Sequence, residues 1–207
     1  MSTEHKLAAI LFADIAGYTA MMQKNEESAL ELLSHFEEVL EKTTPHYKGQ
    51  IVQYFGDGCL LAFESSTNSV DCAIALQKAF SEIPSVPVRI GLHLGDVVFK
   101  QGNVFGDGVN IASRIQSLGI PGSILISKAI RDQIKNQSDF LLVSLGSFDF
   151  KNVDEPMEVF ALANPGFVVP KREQMQGKLK TAPPKGFQKR VAAGIVGVLL
   201  LLFAALY

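Results

Sequence analysis

"QIVQYFGDGCLLAF" (residues 50–63) sets two apolar runs around Gly56, Asp57 and Gly58. Asp-Gly supplies the positive φ angles of a tight turn, so the stretch reads as a β-hairpin with strands over 50–55 and 59–65. Upstream, "KLAAILFADI" (6–15) reads as a buried strand, and residues 26–42 as a helix, because Ala29, Leu33, Phe36 and Leu40 recur at three- and four-residue spacing. Pro45 and Gly49 close that unit. Downstream, 67–80 reads as a helix capped by Thr67 or Asn68 and ended by Pro84 and Pro87. Residues 88–100 look like a hairpin bent at Gly95, and 107–118 like a helix stopped by Gly119 and Pro121. A strand over 123–128, a short helix over 128–136 and further strands within 140–164 complete the pattern. It is α+β, a mixed sheet covered by helices.

The chain's 207 residues, 47% of them hydrophobic, suffice for one full-sized core and an appendage. Residues 171–190 hold seven of the 19 Lys and Arg and one of the 21 acidic residues, which leaves 12 basic against 20 acidic before them. An acidic body argues against nucleic acid as a partner. Cys59 and Cys72 fit no metal spacing and lie in apolar runs, so both are expected buried and reduced. Residues 1–6 are polar and the apolar run after them ends at Asp14, so no signal peptide is expected.

Residues 1–163 are expected as the domain and 164–190, with four prolines among basic residues, as a linker. The last segment, "VAAGIVGVLLLLFAALY" (191–207), has no charge and as a helix would reach about 25 Å against a bilayer core of about 30 Å. It is expected to anchor the chain in a membrane. Lys185, Lys189 and Arg190 beside it put the domain in the cytoplasm.

Asp14 ends an apolar strand before "IAGYT" (15–19), where Ala16, Gly17, Tyr18 and Thr19 would offer backbone N–H groups to phosphate oxygens at a helix start. If its strand neighbours the hairpin, Asp14 and Asp57 converge and can share a pair of Mg²⁺ ions. Taken singly, Asp57 also serves as a turn residue and Asp14 as a helix cap. Asn110 and Arg114, four apart on one helix face, suit a ribose hydroxyl and a phosphate, or else a solvated face. His93, Cys59 and the Met21-Met22 pair read as packing residues.

"FADIAGYT" (12–19), "QYFGDG" (53–58) and "FGDGVNIASRI" (105–115), in this order and at these separations, resemble the catalytic domain of class III nucleotidyl cyclases, the adenylate and guanylate cyclases. The resemblance covers roughly residues 6–163. It implies a ferredoxin-like βαββαβ core with additions, a homodimer with two active sites in its interface, and cyclisation of a nucleoside triphosphate with release of pyrophosphate. By position, Asp14, Asp57 and the Ile15 carbonyl match the site for two Mg²⁺ or Mn²⁺ ions. Asn110 and Arg114 match the pair that orients the ribose and stabilises the transition state from the other protomer, and Lys151 stands near a triphosphate-contacting lysine. A diguanylate cyclase or polymerase palm shares the sheet and the two-metal logic but has no place for the "GVNIASR" helix.

The purine positions depart from the family. Familiar adenylate cyclases carry Lys and Asp where this chain has Gln53 and Asn103, and guanylate cyclases carry Glu and Cys. Gln53 can donate to adenine N1 while Asn103 accepts from the 6-amino group, which favours ATP. Both amides turned over would suit guanine, so GTP is the alternative. The remaining rival is a silent cyclase-like module that binds nucleotide or only dimerises.

Overall fold

The computed structural model describes residues 4–151, 153 and 155–175. Strand β1 (Glu4–Ile15) leads through the short helix α1 (Tyr18–Lys24) into α2 (Glu26–Thr43). Asn25 caps α2, its side chain accepting from the Ser28 N–H at 3.2 Å, and Glu26 and Glu27 complement the helix dipole. The hairpin follows as β2 (Gln50–Phe55) and β3 (Gly58–Phe63), then α3 (Ser66–Ser81) and β4 (Val88–Lys100). The chain continues through β5 (Asn103–Phe105), α4 (Asp107–Ser117), β6 (Ile124–Ser127), α5 (Lys128–Ile134), β7 (Leu142–Phe148) and β8 (Met157–Leu162).

The sheet runs β2-β3-β1-β4-β6-β8-β7, with β5 added beside β4. The first four strands pair antiparallel, and β6 joins β4 in parallel. Those four, with a helical crossover before β2 and another before β4, form a βαββαβ core in a mixed sheet, as the family resemblance implies. Helices α2, α3 and α5 cover one face, where Phe36, Leu40, Leu76 and Phe80 pack on Leu11, Leu61 and Ile90. On the opposite face α4 lies across β4 and β1, with Ile111 and Ile115 directed into the apolar cluster of Leu125, Phe148 and Val159.

Four local expectations are corrected. Residues 88–100 form one continuous strand, paired with β1 from Ile15↔Val88 to Glu4↔Phe99, and the chain reverses after Lys100 instead. Gly95 serves close packing: a Cβ there would stand 3.1 Å from Gly108 Cα on α4. Helix α3 is capped by Ser65, whose Oγ accepts from the Asn68 N–H at 3.3 Å, rather than by Thr67 or Asn68. In the hairpin the positive φ belongs to Gly56 (62°), so the turn is Gly56–Asp57 with glycine first, and Gly58 already belongs to β3.

The fourth concerns residues 164–175, expected as linker, which are strapped to the domain. Val168 donates its N–H to the Gly122 carbonyl at 3.0 Å, and Arg172 donates to the carbonyls of Leu145 and Ser147, both at 3.0 Å. The Arg172 guanidinium also sits 3.8 Å over the Phe148 ring, and Met175 is buried. Among the described residues no helix is long and apolar enough to cross a membrane. The expected membrane segment 191–207 and residues 176–190 lie outside them.

Candidate active site

β1 lies between β3 and β4, so its C-terminal end meets the hairpin tip on one side and the start of β4 on the other. In register, Asp14 faces Gly58 across one ladder and Arg89 across the other. Ile15 donates its N–H to the Asp57 carbonyl at 3.0 Å, which ties the hairpin tip to the strand end. Two carboxylates distant in sequence thereby share one edge of the sheet. Gly58 stands beside the carboxylate of Asp14: a Cβ there would lie 3.4 Å from Asp14 Oδ1.

Asp14 is tightly held. Arg89 donates to its Oδ2 from Nε at 2.8 Å, with Nη2 in ion-pair contact with the same oxygen at 2.7 Å, and Gln116 donates to that oxygen from Nε2 at 3.1 Å. Asp57 is less well compensated. Burial pushes its carboxyl above the ordinary carboxylate value, and the charge of Asp14 adds to the rise; its own backbone N–H and Arg89 oppose it. Two converging carboxylates, one raised by the other, are an arrangement that a divalent cation relieves. Among the described residues no cluster of three or more His, Cys, Asp or Glu exists to hold a metal by itself. A pair of carboxylates is a donor set that a hard divalent cation completes with water and phosphate oxygens.

After Ile15 the chain turns through Gly17 (φ 78°) into α1. Ala16 is corrected as a phosphate contact, because its N–H donates to the Pro87 carbonyl at 2.8 Å. The amides of Tyr18 and Thr19, in the first turn of α1, have no intrahelical acceptor.

Asn110 and Arg114 lie on α4, Asn110 exposed and Arg114 half-buried. Among the described residues neither has a hydrogen bond to Asp14 or Asp57, and the buried Nη1 of Arg114 has no hydrogen-bond partner. One chain thus brings the two carboxylates together and leaves the Arg114 donor waiting. Gln53 is exposed beside a bulge in β2, and Asn103 begins β5, which lies against β2. Lys151 is exposed in the β7–β8 connection.

Sequence reasoning missed Arg89 and Gln116. Nothing adjacent to Arg89 marks it; only the antiparallel register of β1 and β4 puts it opposite Asp14. A polar residue on the apolar face of "IASRIQSL" is the one signal that pointed to Gln116. The packing that delivers it is visible at Gly91, where any Cβ would collide with the backbone nitrogen of Gln116. His93, between Gly91 and Gly95, is buried, and its Nδ1 has no hydrogen-bond partner.

A family model described as the adenylate and guanylate cyclase catalytic domain matches residues 1–164. A Rhizobium meliloti protein provisionally named adenylate cyclase 3 is 36% identical over 167 residues, which cover 77% of this chain and 28% of that protein. An adenylate cyclase of Streptomyces coelicolor is 29% identical over 133 residues, covering 63% of this chain and 35% of its own length. The chain thus matches about a third of the length of these relatives. Among solved structures, the adenylate/guanylate cyclase/hydrolase from Silicibacter pomeroyi superposes with a TM-score of 0.73 at 31% identity, covering 78% of this chain and 98% of that one.

Proposed function

The chain belongs to the adenylate and guanylate cyclase catalytic-domain family, and on that premise we propose that it converts ATP to 3′,5′-cyclic AMP and pyrophosphate as a homodimer. The observation that carries this reading is the meeting of Asp14 and Asp57 at one sheet edge while Arg114, in the same chain, keeps a buried donor without a partner. A site that is half complete in each chain is what a two-fold dimer completes.

In this reading Asp14, Asp57 and the Ile15 carbonyl hold the metal ions. Bound Mg²⁺ or Mn²⁺ would make the 3′-hydroxyl more acidic and neutralise the triphosphate, the usual contribution of paired metals to phosphoryl chemistry. Gly17, Tyr18 and Thr19 receive phosphate oxygens on backbone N–H groups, with Lys151 as a further cation. Arg89, beside Asp14, adds positive charge on the same side. From the partner chain, Asn110 orients the ribose and Arg114 meets the charge that develops on the α-phosphate, a role worth about 10³ to 10⁵ in rate for arginine fingers. Gln53 donates to adenine N1 and Asn103 accepts from the 6-amino group, so ATP is favoured over GTP. The uncharged segment 191–207 with its basic flank supports attachment to a membrane, with the catalytic domain in the cytoplasm.

The test is to incubate the full chain with Mn²⁺ and either ATP or GTP and identify the product. Cyclic AMP is expected. Dominant cyclic GMP would reverse the purine assignment, and absence of both products would make the chain a silent cyclase-like module.

A further inference from the structure

Gln116 is a neutral amide on an otherwise apolar helix face, between Ile115 and the buried Ala112, Ile111 and Leu118, and it is only 7% exposed. An amide buried at such a place costs stability unless its polar atoms are paired. Here the pairing is with Asp14, 102 positions earlier, on the same oxygen that already holds the Arg89 guanidinium. A carboxylate oxygen has two lone pairs, so the Arg89 Nε–H and the Gln116 amide fill Oδ2. Oδ1 has no hydrogen bond among the described residues and lies on the Gly58 side, toward the turn that carries Asp57.

Resting on the cyclase reading above, we infer that Gln116 is a positioning residue that aims Asp14 at the metal ions. A guanidinium left alone with a carboxylate prefers to fork across both oxygens. Gln116 opposes this by pinning the rotation of the carboxylate, with Oδ2 turned to the side where Arg89 and α4 both reach it, which leaves Oδ1 for the metal. The amide performs this without charge, so the electrostatic balance among Asp14, Asp57 and Arg89 is unaltered. Helix α4 therefore serves through two faces: Asn110 and Arg114 toward the partner's site, and Gln116 toward the metal carboxylate of its own.

Gln116→Met keeps length, apolar packing and helix propensity while removing the donor; Gln116→Leu is the second variant should the first fold poorly. The full chain is titrated with Mn²⁺ in the presence of 3′-deoxy-ATP, which lacks the attacking hydroxyl, and free Mn²⁺ is followed by electron paramagnetic resonance. The same titration is then run with ATP and the cyclic product measured. Loss of such an outer partner typically weakens metal binding by 10- to 100-fold, so both titrations should shift to about tenfold higher Mn²⁺. Turnover at saturating Mn²⁺ and the Michaelis constant for ATP should stay near wild type. A variant that merely loosens α4 would do the opposite, lowering turnover through Arg114 at unchanged Mn²⁺ dependence, and that result overturns the inference. If the wild-type chain binds Mn²⁺ with the analogue yet forms no product, the proposed activity fails while the binding titration still decides the role of Gln116. Absence of Mn²⁺ binding by the wild type overturns both.

Discussion

Arg89 Nη2 lies 2.7 Å from Asp14 Oδ2, an ion pair between the last turn-facing carboxylate of β1 and the second residue of β4. The pair is half-buried, and it joins the two central strands at the edge where Asp57 also stands. Arg89→Met leaves Asp14 and Asp57 without their shared cation. We expect a loss of about 10²-fold in kcat/KM, the scale seen when one charge-stabilising donor is removed from an active site. Arg89 also lowers the Asp57 carboxyl, so its removal lets that group rise further. The acid limb of Mn²⁺-dependent activity should move to higher pH, and a pH–rate profile reads this directly.

Because Asp57 and Arg114 serve different sites in the dimer proposed above, their defects should complement. Asp57→Ala and Arg114→Ala chains, each inactive alone, form mixed dimers with one intact site, and random pairing of equal amounts returns about a quarter of wild-type activity. Mixed dimers that form without activity would rule out a site shared between chains.

Burial holds the His93 pKa down at about 4 against an ordinary 6.5, with Asp107 pulling it partly back. Between those values the unfolded chain binds a proton that the folded chain refuses. Stability is therefore full above about pH 6.5 and falls as the pH drops toward 4, by at most roughly 3 kcal/mol. His93→Leu should flatten that slope. Urea unfolding at pH 7 and pH 5 for both chains measures the difference, and equal slopes would remove His93 as the cause.

Gly91 lets α4 rest directly on β4, since any Cβ would collide with the Gln116 backbone. Gly91→Ala should cost about 1–3 kcal/mol as an overpacked contact. It should also lower activity by more than tenfold, because the helix that must move carries Asn110, Arg114 and Gln116, and a displacement of about 1 Å can cost 10²-fold. Thermal melts and cyclase assays on the same preparation separate the two effects.

The strap of residues 164–175 makes the domain boundary testable. A chain ending at Ala163 forfeits the burial of Met175 and the Arg172 contacts with Phe148, Leu145 and Ser147, and should be less stable than one ending at Met175 by about 2 kcal/mol or more. Denaturation midpoints that coincide would show that the strap adds nothing.

The motif residues were legible because each sits where local rules act. An acidic residue at the end of an apolar run, an acidic turn inside a hairpin, and an Asn and Arg one helical turn apart need only the chain's own periodicity to be found. What misled the reading was glycine. Gly95 resembles a bend in a strand, and only the helix packed above it explains the missing side chain. The prolines after Asn164 resemble a free linker, and only the buried Met175 and the Arg172 clamp reveal a docked segment.

"QIVQYFGDGCLLAF" by itself determined a hairpin with a carboxylate at its tip, because turn chemistry and alternation depend on residues a few positions apart. Tertiary structure alone decided that Gly58 stands beside Asp14, that Arg89 and Gln116 hold one of its oxygens, and that Asp57 is the less compensated carboxylate. Those relationships follow from strand register and from the height of α4 above the sheet, which bring to Asp14 residues as far as 75 and 102 positions away.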